Sequence, residues 1–169
     1  MSNTESSSTN NSASTSIVPT TEFLTNVTNK WKLNPTLSDT MEPMFEFMGI
    51  PWLIRKAILA APPPSLVIYA NAEILRIEQQ GFSNLINEYR WHDKTHTHKV
   101  PNGSYPAQLE VLNNGTVVKL SVTVEKTRHL ILLYEVDSTK SPIQVIATIT
   151  FWMDGKDKQS IKRIFQPKV

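Results

Sequence analysis

Apolar residues are spaced in three different ways along this chain. In residues 1–22 Ser, Thr and Asn cluster (Ser6-Ser7-Ser8, Asn10-Asn11-Ser12), and the few apolar side chains, such as Ile17 and Val18, bury too little surface to offset the entropy of ordering. This segment is expected to be a disordered tail, with one folded domain over 23–169. The folded part is expected to start near Thr25, with Trp31-Lys32-Leu33 closing a short strand. From Ser38 to Ala60 the period turns helical: Met41, Met44, Phe45 and Met48 recur at three and four residues, Gly49 breaks the run, and Pro51 restarts it at a first helical position. Pro43 is tolerated only in a first turn, which requires a cap at Thr40 or later. Two short helices joined at Gly49 are predicted.

After Pro62-Pro63-Pro64 the helical period does not return. Short runs rich in Val, Ile, Thr and aromatics follow: Leu66 to Tyr69, Ile74 to Gln79, Leu85 to Trp91, Thr95 to Val100, Tyr105 to Leu112, Thr116 to Val124, His129 to Val136, Ile143 to Met153 and Gln159 to Gln166. Turn signals separate them at Asn71, Pro101-Asn102-Gly103, Asn113-Asn114-Gly115, Asp137 to Pro142 and Asp154-Gly155. With the opening strand that makes ten, joined mostly by tight turns. The predicted class is all-β: a ten-stranded up-and-down antiparallel β-barrel with a helix-turn-helix lid after the first strand. Closure is expected because a long open sheet leaves edges that aggregate.

Composition narrows the function classes. The chain has 169 residues, a net charge of +2, 40% hydrophobic residues and no cysteine, which suits one domain without disulfides or thiolate metal sites. No block of like charge could serve as a nucleic-acid arm. No apolar run approaches a membrane span, and the first 25 residues lack the layout of a signal peptide, so a cytoplasmic protein is expected. Gly-x-Ser-x-Gly elbows and phosphate-cradling glycine loops are missing from the sequence, which argues against an enzyme.

The order of elements and several motifs resemble the intracellular lipid-binding proteins, the fatty-acid-binding and cellular retinoid-binding family of the calycin superfamily. Trp31-Lys32-Leu33 is similar to that family's opening Trp-Lys-Leu, and Gly49-Ile50-Pro51-Trp52-Leu53-Ile54-Arg55-Lys56-Ala57 to its Gly-Val-x-x-x-x-Arg-Lys-Val helix joint. Pro64 with Leu66 to Ile68 matches the Lys-Pro strand, and Arg163-Ile164-Phe165 stands where the family has Arg-x-Tyr. The resemblance implies a carrier of a hydrophobic small molecule, a fatty acid or a retinoid-like compound, with no cofactor, acting as a monomer. It implies a ligand site at Arg163, Phe165, Ile161, Leu132, Leu75 and Ile77, with Phe82 as the portal aromatic. It also implies a lid of Met44, Phe45, Met48, Trp52 and Arg55. The chain departs from the family at Asn29, where a Gly is usual, at Phe165, which lacks the Tyr hydroxyl, and near Leu132, where a second pocket Arg is common.

Alternation in the last strand sets Ile161, Arg163 and Phe165 on one face and Ser160, Lys162 and Ile164 on the other. If the first face lines a cavity, Arg163 is a cation among apolar groups, for which a ligand carboxylate is a natural partner. The bland reading is a structural ion pair on the rim. Burying each methylene of an acyl chain contributes ~0.8 kcal/mol, so a long chain supplies on the order of 10 kcal/mol before association costs. A charge-assisted hydrogen bond adds roughly 1.5–3 kcal/mol. Chain burial therefore outweighs the lost Tyr and Arg, and binding is expected to survive with Arg163 alone.

His96 and His98 share a strand face with His92 nearby, a spacing that suits zinc or copper. The strand Lys94-Thr95-His96-Thr97-His98-Lys99 shows no apolar face, so an exposed strand without metal is expected. The helical pair carries more apolar residues than one buried face can hide, which suits a flexible lid with transient membrane contact. Two further readings stay open: a non-enzymatic interaction protein whose barrel is filled by its own side chains, and a metal- or haem-binding barrel resting on the histidines.

Overall fold

The computed structural model describes residues 17–169. Ten antiparallel strands form a single sheet: β1 (Asn29–Leu33), β2 (Ser65–Ala70), β3 (Ile74–Gln80), β4 (Leu85–Arg90), β5 (His96–Val100), β6 (Gly103–Leu112), β7 (Val117–Glu125), β8 (Arg128–Asp137), β9 (Gln144–Met153) and β10 (Gln159–Pro167). The spatial order is β4-β3-β2-β1-β10-β9-β8-β7-β6-β5, so every strand pairs with its chain neighbours except at β4 and β5, and β1 pairs with β10 as well. The sheet curls into a nearly closed barrel. Every run of alternating residues after Pro64 corresponds to one of these strands, with boundaries shifted by one or two residues.

β4 and β5 flank the seam of the barrel and share no ladder. Side chains bridge it. The amide of Asn87 bonds both backbone groups of Lys99, and the Tyr89 hydroxyl meets His98 Nδ1 at 2.6 Å. These bonds give the two seam strands partners that a ladder would otherwise supply.

The helical pair lies where the apolar period put it, as α2 (Glu42–Phe47) and α3 (Trp52–Ala60). Pro43 occupies the first turn of α2, after a cap at Met41. Pro51 caps α3 and is not its first helical residue. Gly49 has φ +74°, a left-handed conformation that ends α2. Gly49 N–H donates to Glu46 O and Ile50 N–H to Phe45 O, the paired bonds of a Schellman cap. Two barrel side chains reach the same joint: Arg128 donates to Phe47 O at 3.0 Å and Asn102 to Met48 O at 3.0 Å. Met44, Phe45, Met48 and Ile50 are buried beneath. α3, by contrast, has no buried residue.

The start of the folded part differs from the expected strand. A helix, α1 (Thr21–Val27), stands where a strand was expected from Thr25. Thr20 caps it by accepting from Phe23 N–H at 3.2 Å, and Phe23 and Val27, four residues apart, bury on one face. Of the expected tail, residues 1–16 lie outside the described residues. Pro19 is buried, and Thr20 N–H donates to Gly115 O at 2.9 Å. Gly115, at φ +89°, leaves no room for a Cβ, which would lie 2.9 Å from Thr20 N. α1 closes the floor with Trp31, which is fully buried and donates from Nε1 to Val27 O at 2.9 Å.

Candidate functional site

Between the helices and the barrel interior lies a cavity of about 310 Å³, at the small end of the roughly 300–1,000 Å³ usual for ligand pockets. Its wall is mostly apolar. Met44 and Phe45 of α2 and Ile58 and Leu59 of α3 form the roof, while Leu132, Ile149 and Phe165 belong to the barrel wall. Strand alternation places these residues: on β10, Arg163 and Phe165 line the cavity while Lys162 faces solvent.

Arg163 is half-buried, and burial lowers its pKa from the ordinary value against the pull of Asp39. It remains a cation at neutral pH. Its guanidinium donates to the Asp39 backbone carbonyl at 2.7 Å. The β1–α2 connection holds Asp39 there by running along β10. Asn34 N–H donates to Ile164 O, Asp39 N–H to Lys162 O, and Lys162 N–H to the Asp39 carboxylate at 2.8 Å. Arg163 thus touches both the rim and the cavity.

Of the other residues that the sequence singled out, Leu132, Phe165, Ile77, Phe82, Met44 and Phe45 line the cavity. Phe82 is 56% exposed, beside the roof. Leu75, Ile161 and Met48 are buried in the core but do not line it. Trp52 and Arg55 do not line it either: Trp52 is 61% exposed on α3, and Arg55 pairs with Glu46 at 3.4 Å.

The histidine strand is not the exposed strand expected. His98 is buried and lines the cavity, where burial lowers its pKa to about 4 and keeps it neutral. His96 is half-buried and its Nε2 bonds Arg90 O at 2.8 Å, while His92 is exposed. Among the described residues no group of three or more His, Cys, Asp or Glu is placed to hold a metal ion. Sequence reasoning passed over other polar residues of the wall, among them Asn87, Tyr89 and Tyr134. The signal was present in the alternation, because Asn87 and Tyr89 share a β4 face with Leu85, and Tyr134 shares a β8 face with Leu130 and Leu132. Burial raises the pKa of both tyrosines, that of Tyr134 to about 12.

α3 presents a separate feature. Trp52, Leu53 and Ile54 are exposed together on its first turn, Leu53 by 73%, and Lys56 pairs with Glu42 at 2.9 Å one turn on. Among the described residues no helix is long and apolar enough to cross a membrane.

No protein-family model and no curated protein matches the chain in sequence. Solved structures are similar to it. A fatty acid binding protein of Schistosoma mansoni, in complex with arachidonic acid, superposes with a TM-score of 0.66 at 14% identity, over 87% of this chain and 99% of that one. Apo lipid binding protein 8 of Caenorhabditis elegans gives 0.66 at 18% identity, over 90% and 100%. The fatty acid-binding protein of Drosophila melanogaster brain tissue gives 0.63 at 14%, over 83% and 98%. Ten strands in meander order, a helical pair after the first strand and a roofed apolar cavity agree with those likenesses: this chain has the intracellular lipid-binding fold.

Proposed function

We propose that this chain is a cytoplasmic, non-enzymatic, monomeric carrier that takes a long-chain fatty acid or a similar hydrophobic molecule into the barrel. The observation that carries this reading is an apolar cavity with a cation on its wall. Aliphatic and aromatic side chains accept the acyl chain, and Arg163 receives the acid group, exchanging water for a charge-assisted bond. Arachidonic acid in the Schistosoma mansoni relative's complex supports the same substrate class.

The roof supports a route for exchange. α2 is pinned through Phe47 and Met48 to the barrel, whereas α3 is held by half-buried Ile58 and by ion pairs back to α2. α3 therefore moves at lower cost than α2, and its exposed Trp52, Leu53 and Ile54 suit transient contact with a membrane surface during transfer. Titration of the full chain with a fluorescent fatty-acid probe tests the reading. The probe brightens and oleate competes it away if the cavity takes lipid. A probe that stays dark sinks the carrier and favours a barrel filled by its own side chains. Native mass spectrometry of co-purified lipid then identifies the cargo.

A further inference from the structure

Among the polar residues that line the cavity, two groups stand apart from each other. Arg163 stands at the rim beside Asp39. Tyr89, His98 and Tyr134 form the other set. In register, Arg163 opposes Ala147 and Ala147 opposes Tyr134, so Tyr134 stands at the same level two strands away, a backbone separation of roughly 10 Å. Ala147, which also lines the cavity, contributes only a methyl between them.

The second set is uncharged at neutral pH, because burial holds His98 unprotonated and both tyrosines protonated. Tyr89 and His98 satisfy each other at 2.6 Å. Tyr134 and Tyr89 line the same cavity and interact electrostatically, and among the described residues none is hydrogen-bonded to the Tyr134 hydroxyl. The hydroxyl is therefore free to meet whatever occupies the cavity, which Tyr134 lines, whereas a phenylalanine would line the same wall with no polar group to offer.

We propose that Tyr134, with the Tyr89–His98 pair, forms a neutral recognition point for a hydroxyl or carbonyl oxygen partway along the ligand, so that the preferred cargo is an oxygenated fatty acid. This rests on the carrier reading above and specifies its substrate class. The acid group goes to Arg163, since a carboxylate against the neutral set would be desolvated without a counter-charge. A mid-chain hydroxyl accepts from Tyr134 and donates to the Tyr89 oxygen. A keto oxygen accepts from Tyr134 alone.

Calorimetric titration of the full chain with stearate and with hydroxystearates substituted at successive positions from C8 to C12 tests the proposal. At least one isomer is expected to bind about tenfold tighter than stearate. Tyr134→Phe should abolish that preference, and an unchanged urea midpoint verifies that the variant folds. Tyr89→Phe should reduce the preference in the same way. The proposal is overturned if no isomer exceeds stearate, or if Tyr134→Phe weakens stearate and hydroxystearate alike. In both cases stearate still binds, and the carrier reading stands. If neither stearate nor any isomer binds, the carrier reading falls and this proposal with it.

Discussion

Asn87 pairs with Lys99 across the barrel seam through its side-chain amide, as a neighbouring strand would through its backbone. Nδ2 donates to Lys99 O at 3.1 Å and Oδ1 accepts from Lys99 N–H at 2.7 Å. One buried side chain therefore replaces a rung of the ladder that β4 and β5 do not form.

Asn87→Ala removes both bonds and strands the Lys99 backbone at the seam. Unfolding free energy should drop by roughly 1–3 kcal/mol, the cost of unsatisfied buried groups. Urea denaturation measures the loss, and faster hydrogen exchange at the Lys99 amide localises it. Unchanged exchange at Lys99 would show that water substitutes for the side chain.

His98 makes stability depend on pH. Its folded pKa of about 4 lies below the unfolded value near 6.5, so the unfolded chain binds a proton first as pH falls. Stability is complete above pH ~6.5 and declines toward pH ~4, at up to about 1.4 kcal/mol per pH unit. His98→Asn should lose less than the wild type between pH 6.5 and 5, by roughly 1–2 kcal/mol, in paired denaturation curves. The neighbouring tyrosines stay neutral over this range, so the difference reports on the imidazole. Parallel curves would refute the assignment.

Arg163→Leu is expected to weaken a fatty acid by roughly 1.5–3 kcal/mol while leaving the corresponding alcohol nearly as well bound. Chain burial is common to both ligands and cancels. Phe165→Tyr should strengthen the acid modestly. Equal losses for acid and alcohol would mean that Arg163, through Asp39, shapes the rim and does not read the ligand.

At the floor, Trp31→Ala should cost at least ~3–5 kcal/mol, because a fully buried indole and its bond to Val27 are both lost. The floor also depends on the segment before β1. A chain beginning at Phe23 should be less stable than one beginning at Ile17 by about 1–2 kcal/mol, since it lacks the Thr20 cap and its bond to Gly115. Gly115→Ala should destabilise the full chain at the same place. Denaturant midpoints rank these variants against the full chain.

Most strands were legible because their residues alternate and turn signals separate several of them, and the helical pair because Met41, Met44, Phe45 and Met48 keep a helical period. α1 was hidden by its setting. Phe23 and Val27 make only two buried positions, and they count as a helix face only once Trp31 and the barrel floor stand against them. The interior position of His98 is hidden in the sequence because His, Thr and Lys carry no apolar contrast between the two faces of their strand. A strand of His, Thr and Lys shows no apolar alternation, yet its interior face meets Tyr89 at the seam. For Arg163 the cavity-facing side followed from alternation, but its bond to Asp39 did not, since 124 residues separate the two in sequence.

The position of β1 between β2 and β10 bears on how the molecule is made. During synthesis β1 emerges before the other nine strands and β10 after them, so the wall holding Arg163 and Phe165 is completed only when β10 arrives. Until then β1 and β9 each expose a bare edge and the hydrophobic interior stays open. β10 is thus a latch: docking it along β1 and β9 removes both sticky edges and installs the cavity's cation in one event, so that a nascent chain acquires its binding wall only as it loses its tendency to aggregate.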